Sequence, residues 1–176
     1  MNSEEIAVDV AAELRAELVE LAEALDRLRP EDWDRNSLCE GWRVRDVVAH
    51  MTMPARRSAP NVMFHLLAAG FRFHSMADRL ARRDAELPAG DLIADVRSER
   101  LQRWRPPGGG AEGALVHAVV HGLDVTVPLG IGRRLPPQRM RTVLDALTAR
   151  RSLVHFGIDI SGKEFRVDDL KWSWGC

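Results

Sequence analysis

The residues whose spacing best suits chemistry are His117 and His121, four apart in Ala111–Gly130, AEGALVHAVVHGLDVTVPLG. On a helix, positions i and i+4 lie one above the other, so both imidazoles can face one ion. The best third donor is His50, at the end of the run Val44 to His50, because the valines before it place it at the buried edge of its own helix. Three neutral imidazoles and a water make an open zinc site, which can activate water or bind and deprotonate a thiol. The competing reading is a half-exposed histidine pair on an amphipathic helix, with His50 a satisfied core residue. Asp124, three residues after His121, is placed either to orient a ligand's second nitrogen or to sit exposed at a helix end. Glu112 is a weaker candidate for general base or supporting acid. His65, His74 and His155 lack a partner at i+3 or i+4 and read as surface or packing residues.

The elements that must position these groups read as helices. Leu14, Leu18, Leu21, Leu25 and Leu28 recur at spacings of three and four, which predicts a helix over residues 3–29 with Glu4 and Glu5 at its positive end. Pro30 stops it, and a loop to Glu40 carries Trp33 and Cys39. A second helix runs from Arg43 to about Ala55. Asp46 stands near its third position, and Arg43 stands where Ser or Thr would cap, so the capping box is half present. A third helix spans Asn61 to about Glu86, with Phe64, Leu67, Phe71 and Met76 on its apolar side. A short helix covers Asp91 to Trp104. Pro106 to Gly110 turns into the histidine helix, which ends by Pro128. Pro136-Pro137 opens a last helix from Gln138 to about His155. The tail changes to period two, and Glu164–Val167 and Leu170–Trp174 predict a small hairpin.

Composition narrows the classes. The chain has 176 residues, 45% hydrophobic and 29% charged, with a net charge of −1. That suits one soluble domain and argues against a general nucleic-acid binder, which needs a basic surface. No apolar run is long enough for a membrane span and the acidic N-terminus has no apolar leader, so a cytoplasmic protein is expected. Cys39 and Cys176 form no CxxC pair. Cys39 reads as a small buried hydrophobe more readily than as a nucleophile. The five tryptophans read as packing residues, with Trp42 buried at the base of the second helix. Abundant arginine and alanine hint at a high-GC genome. No Walker loop, GxSxG or GxGxxG occurs.

Trp33 and the run Leu38-Cys39-Glu40-Gly41-Trp42-Arg43-Val44-Arg45-Asp46-Val47-Val48-Ala49-His50-Met51 resemble the signature of the mycothiol-dependent maleylpyruvate isomerase family, within the DinB/YfiT-like bundle superfamily. Val116 to Asp124 resembles that family's second motif, and the resemblance runs from about residue 10 to the end. It implies an all-α fold, an up-down-down-up four-helix bundle with extra short helices and a small C-terminal β-hairpin. Residues 1–157 would be the metal-binding bundle. Residues 158–176 would be a short β tail, similar to the start of a C-terminal α/β region and truncated here. By motif position the metal ligands would be His50, His117 and His121, and the ion a divalent metal, usually zinc. The isomerase branch has Glu where this chain has His117, so the all-histidine set looks more like other DinB-type thiol transferases.

The resulting expectation is an actinobacterial, zinc-dependent thiol transferase or isomerase. It would use a low-molecular-weight thiol such as mycothiol on a small electrophile, as a monomer or homodimer with no nucleic-acid or membrane partner. Two rivals stay open. One is a non-enzymatic module in which the metal, closed off by a fourth side chain, holds helices together. The other is a metal-free relative whose histidines only pack or face solvent.

Overall fold

The leucine stripe near the start of the chain is an amphipathic helix, but a cap sets where it begins. The computed structural model describes residues 9–149, 159–160 and 162–175. The first helix, α1, spans Val10–Asp26. The Asp9 carboxylate accepts the backbone N–H groups of Ala11 and Ala12 at 3.0 and 3.1 Å, satisfying donors that the first turn leaves free. Glu4 and Glu5 lie outside the described residues. Leu14, Leu18, Leu21 and Leu25 are buried, while Leu28 falls beyond the helix end. Pro30 does not open a plain loop: Pro30–Asp34 forms a 3-10 turn that buries Trp33.

Three expected helices are each two. The second is α2, Val44–Met51, followed by α3, Met53–Arg56. At the joint the Thr52 hydroxyl donates back to the Val48 carbonyl at 2.6 Å, and Pro54 starts the next turn. The third is α4, Ala59–Ala68, and α5, Phe73–Asp84, separated where Gly70 and Phe71 both take φ of 61°. That break changes which side chains are inside. Met76 is buried, whereas Phe64, Leu67 and Phe71 are exposed. The next is α6, Ala89–Arg97, and α7, Glu99–Arg103, where Ser98 caps α7 by accepting from the Leu101 N–H at 3.2 Å. The histidine helix α8, Gly110–Thr126, and α9, Pro137–Thr148, follow. The expected end of the last helix at His155 lies outside the described residues.

α1 packs on α6 and α8, and α2 packs on the same two helices, which closes a four-helix ring. α5 lies against α2, and α9 against α8. Leu14, Leu18 and Leu21 of α1, Val47 and Val48 of α2, Leu92 of α6 and Leu115 and Val119 of α8 fill the shared core. Each such side chain contributes roughly 1.5–3 kcal/mol by leaving water. In the tail, β1, Phe165–Val167, pairs antiparallel with β2, Trp172–Trp174, with Phe165 opposite Trp174. So small a hairpin is marginal alone. Trp172 fastens it to α9 by donating its indole N–H to Asp145 at 2.6 Å. The molecule is therefore all-α with a C-terminal β-hairpin, and among the described residues no helix is long and apolar enough to cross a membrane.

A second fastening holds α9 and the loop before it. Glu13, Glu17 and Glu20 lie on one face of α1. Arg139 of α9 donates to all three at 2.7–3.0 Å, and Arg133 donates to Glu17 at 2.9 Å. Glu17 is 0% exposed and Arg139 2%, so this is a buried network. It needs Gly122 on α8, because a Cβ there would meet the Arg133 guanidinium at 2.9 Å and Glu17 at 3.2 Å.

Candidate metal centre

The segment before α2 is built to aim His50. Gly41 takes φ of 73°, a conformation side chains resist, and it turns the chain into Trp42. The Asp46 carboxylate accepts the Arg43 backbone N–H at 2.8 Å and its Nε at 3.0 Å, so the half of the capping box that the sequence supplies forms, and the guanidinium adds a second bond to the same carboxylate. Burial alone would raise the Asp46 carboxyl, but these bonds outweigh it and leave its pKa lowered. Trp42 is half-buried rather than fully buried. Its indole N–H must find an acceptor and reaches Asp78 of α5 at 2.8 Å, which holds the ring at the protein edge. Arg82 of α5 bonds both Asp78 and the Gly41 carbonyl, so α5 grips the whole turn. The loop is also tied to the end of α8, since the Leu38 N–H donates to the Asp124 carbonyl at 3.0 Å.

These constraints bring His50 of α2 to His117 and His121 of α8. Ring centroids are 5.6 Å apart for His50 and His117, 5.1 Å for His50 and His121, and 4.7 Å for His117 and His121. One nitrogen from each lies within 4.8 Å of the others, and among the described residues no fourth histidine, cysteine or carboxylate joins the three at that range. Trp42 packs on His50 and Trp104 on His117, each with centroids 5.1 Å apart. Trp104 is the residue the sequence reading missed. Its place just before the Pro106–Gly110 turn, one turn away from the histidine helix in the chain, is the signal that was available.

Burial keeps two of the imidazoles, His50 and His117, neutral. Burial, then repulsion from His121, pushes the His50 pKa down to about 4. Burial, then the two neighbouring imidazoles, holds His117 well below the usual histidine range. All three residues are still partly exposed, and the His121 side chain is 19% exposed, so the cluster is walled in without being sealed. At neutral pH His50 and His117 thus offer lone pairs rather than charges. His50 also keeps a buried Nδ1 with no hydrogen-bond partner among the described residues. Buried polar atoms are rarely left so, and one in a cluster of donors fits a site that takes a cation.

Asp124 accepts from His121 Nδ1 at 3.0 Å. An ionised carboxylate only accepts, so Nδ1 carries a proton and Nε2 is the nitrogen left to serve as a ligand. The same carboxylate oxygen accepts the Cys39 thiol at 3.2 Å. Burial would raise the Asp124 carboxyl, and the bonds from His121 and Cys39 overcome it, leaving it lowered. Burial first and Asp124 second push the Cys39 thiol up to about 12, so Cys39 is a hydrogen-bond donor here and a poor nucleophile. Cys39, His121 and Asp124 are also close enough to hold an ion together. Those three already satisfy one another, whereas His50 does not, which favours the histidine set. Glu112 is exposed in the first turn of α8. His65 and His74 lie away from the cluster, on α4 and α5, each against a neighbouring phenylalanine. His155 lies outside the described residues.

The family model of the mycothiol maleylpyruvate isomerase N-terminal domain matches residues 14–106, more than half of the chain. The chain belongs to this family. The match runs from the first buried leucine of α1 through Trp104, so within the mycothiol maleylpyruvate isomerase family region lie the Cys39–Trp42 turn, α2 and His50. It stops before α8, and His117 and His121 therefore rest on the geometry above. No curated protein and no solved structure matches the chain.

Proposed function

We propose that His50, His117 and His121 hold one divalent ion, zinc by the chemistry of three neutral imidazoles, and that the protein is a thiol-dependent transferase or isomerase acting on a small electrophile. The observation that supports this most is the convergence of three imidazole nitrogens with no fourth protein donor among the described residues. A zinc ion bound there would supply the positive charge that keeps a coordinated thiol ionised near neutral pH. The chain's own groups do the rest. Burial keeps His50 and His117 unprotonated, Asp124 fixes the tautomer of His121, and the Trp42 and Trp104 rings limit water around the donors. Membership of the mycothiol maleylpyruvate isomerase family makes mycothiol the first thiol to test. His117, where the isomerase branch has Glu, favours transfer over isomerisation. Residues 1–157 serve as the metal-binding unit in this reading, with 158–176 a β tail attached to it.

The test is a rate measurement. Zinc-loaded protein should accelerate the reaction of mycothiol with a bimane or maleyl electrophile, with bacillithiol and glutathione as comparison thiols. The gain should be largest below the free thiol's own pKa. His121→Ala should abolish it, and His74→Ala should leave it intact. Zinc-loaded protein that accelerates none of the three thiols would move the reading to a metal-stabilised module.

A further inference from the structure

We infer that the cleft between the α3–α4 turn and α7 binds the oxyanion of a small organic molecule, at a site separate from the histidine donors. The cleft is broad and open to solvent, with about 490 Å³ of space along its walls. Arg57, Arg100 and Arg103 line it, against a single acid, Glu99. The three cations differ in availability. Arg57 is anchored on Asp84, its Nη2 donating at 2.5 and 2.7 Å, and its Nε is buried without a partner among the described residues. Arg103 pairs with Glu99 at 2.7 Å, but both are exposed, and such a pair is worth little and opens readily. Arg100 is exposed and makes no ion pair among the described residues.

The other wall adds positive potential of a different origin. Helix α4 begins at Ala59 with no side-chain cap, and Ser58 and Ala59 both line the cleft. Pro60 in that first turn has no N–H and the Val62 N–H is bonded to the Ser58 carbonyl, so the Ala59 N–H is the backbone donor this helix start brings to the cleft, with the positive end of the helix dipole behind it. Guanidinium forks match carboxylate and phosphate oxygens alike. Pro54 and Trp104 supply apolar wall, which suits an organic body over a bare ion. Trp104 also packs edge-on against His117 with centroids 5.1 Å apart, so an occupant of the cleft shares that indole with the histidine cluster.

Calorimetric titration of the full chain tests this with three probes: succinate, glycerol phosphate and uncharged succinamide. Metal-free and zinc-loaded protein should both bind at least one of the anions and neither should bind succinamide. Saturation by succinate alone assigns a carboxylate ligand, and by glycerol phosphate alone a phosphate monoester. The double variant Arg100→Gln/Arg103→Gln, whose sites are exposed and leave the core untouched, should bind at least about tenfold more weakly. Added salt should weaken the wild type more than the variant. No binding of either anion by the wild type, or equal binding by the double variant, overturns the proposal. Because the metal-free protein is one arm, the result stands whether or not the histidines bind zinc.

Discussion

Helix α8 divides two polar regions that follow opposite rules. On one side Glu17 and Glu20 of α1 meet Arg133 and Arg139, and every buried charge there has an opposite charge within hydrogen-bond reach. On the other side three imidazoles are gathered with no opposite charge on His50 or His117, and the one carboxylate present, Asp124, is spent on His121 and Cys39. A paired cluster is a fastening: its desolvation is offset from within the fold. An unpaired cluster of donors holds binding capacity that the fold has not used. Gly122, one residue after His121, lets the first region press against the helix that carries the second.

The comparison breaks first under truncation. Arg139→Leu should leave Glu17 buried beside a single remaining cation and cost about 3–5 kcal/mol in denaturant unfolding. His50→Leu, measured without metal at pH 7, should change stability by no more than about 1 kcal/mol, because it removes a buried atom that has no partner. Equal costs for the two would mean that the regions do not differ in kind.

Acid sharpens the contrast. The folded-state pKa of His50, about 4, lies below its ordinary value, so between those two the unfolded chain binds more protons. The stability contribution is therefore complete above about pH 6.5 and is lost as pH falls toward 4, with His117 adding in the same direction. The urea midpoint of metal-free protein should drop from pH 7 to pH 5, and the drop should shrink in His50→Leu. A midpoint that is flat over this range would contradict the burial of the imidazoles.

Smaller effects follow from the supporting residues. Asp124→Asn removes the charge that fixes the His121 tautomer and should weaken zinc binding by about 10–100-fold in a competition titration, with little change in metal-free stability. Trp42→Phe keeps the ring against His50 but gives up the bond to Asp78, and should cost about 1 kcal/mol in thermal or denaturant unfolding. An unchanged zinc affinity in Asp124→Asn would reduce that carboxylate to a partner for Cys39.

Periodicity made the bundle legible, and the i, i+4 spacing made the histidine pair legible, since both depend only on which residues share a helix face. The convergence of His50 with α8 also emerged, through the motif around Trp42. What the sequence hid was local competition. The Thr52 back-bond with Pro54 after it, the left-handed Gly70–Phe71 turn and the Ser98 cap each mark where one apolar-periodic segment becomes two helices. The Glu13, Glu17 and Glu20 face was visible as spacing, but its partners lie more than a hundred residues away. Trp104 read as packing, and only the fold puts it between the histidines and a cleft.

The central claim is that the three imidazoles, and not the neighbouring Cys39–His121–Asp124 set, hold the ion. Anomalous diffraction at the zinc edge, from crystals grown with one equivalent of zinc, tests it directly. The predicted result is one peak bonded to His50, His117 and His121 at about 2.0–2.1 Å, with a water in the fourth position. A peak on Cys39 and Asp124, a fourth side chain closing the site, or no peak at all would contradict it.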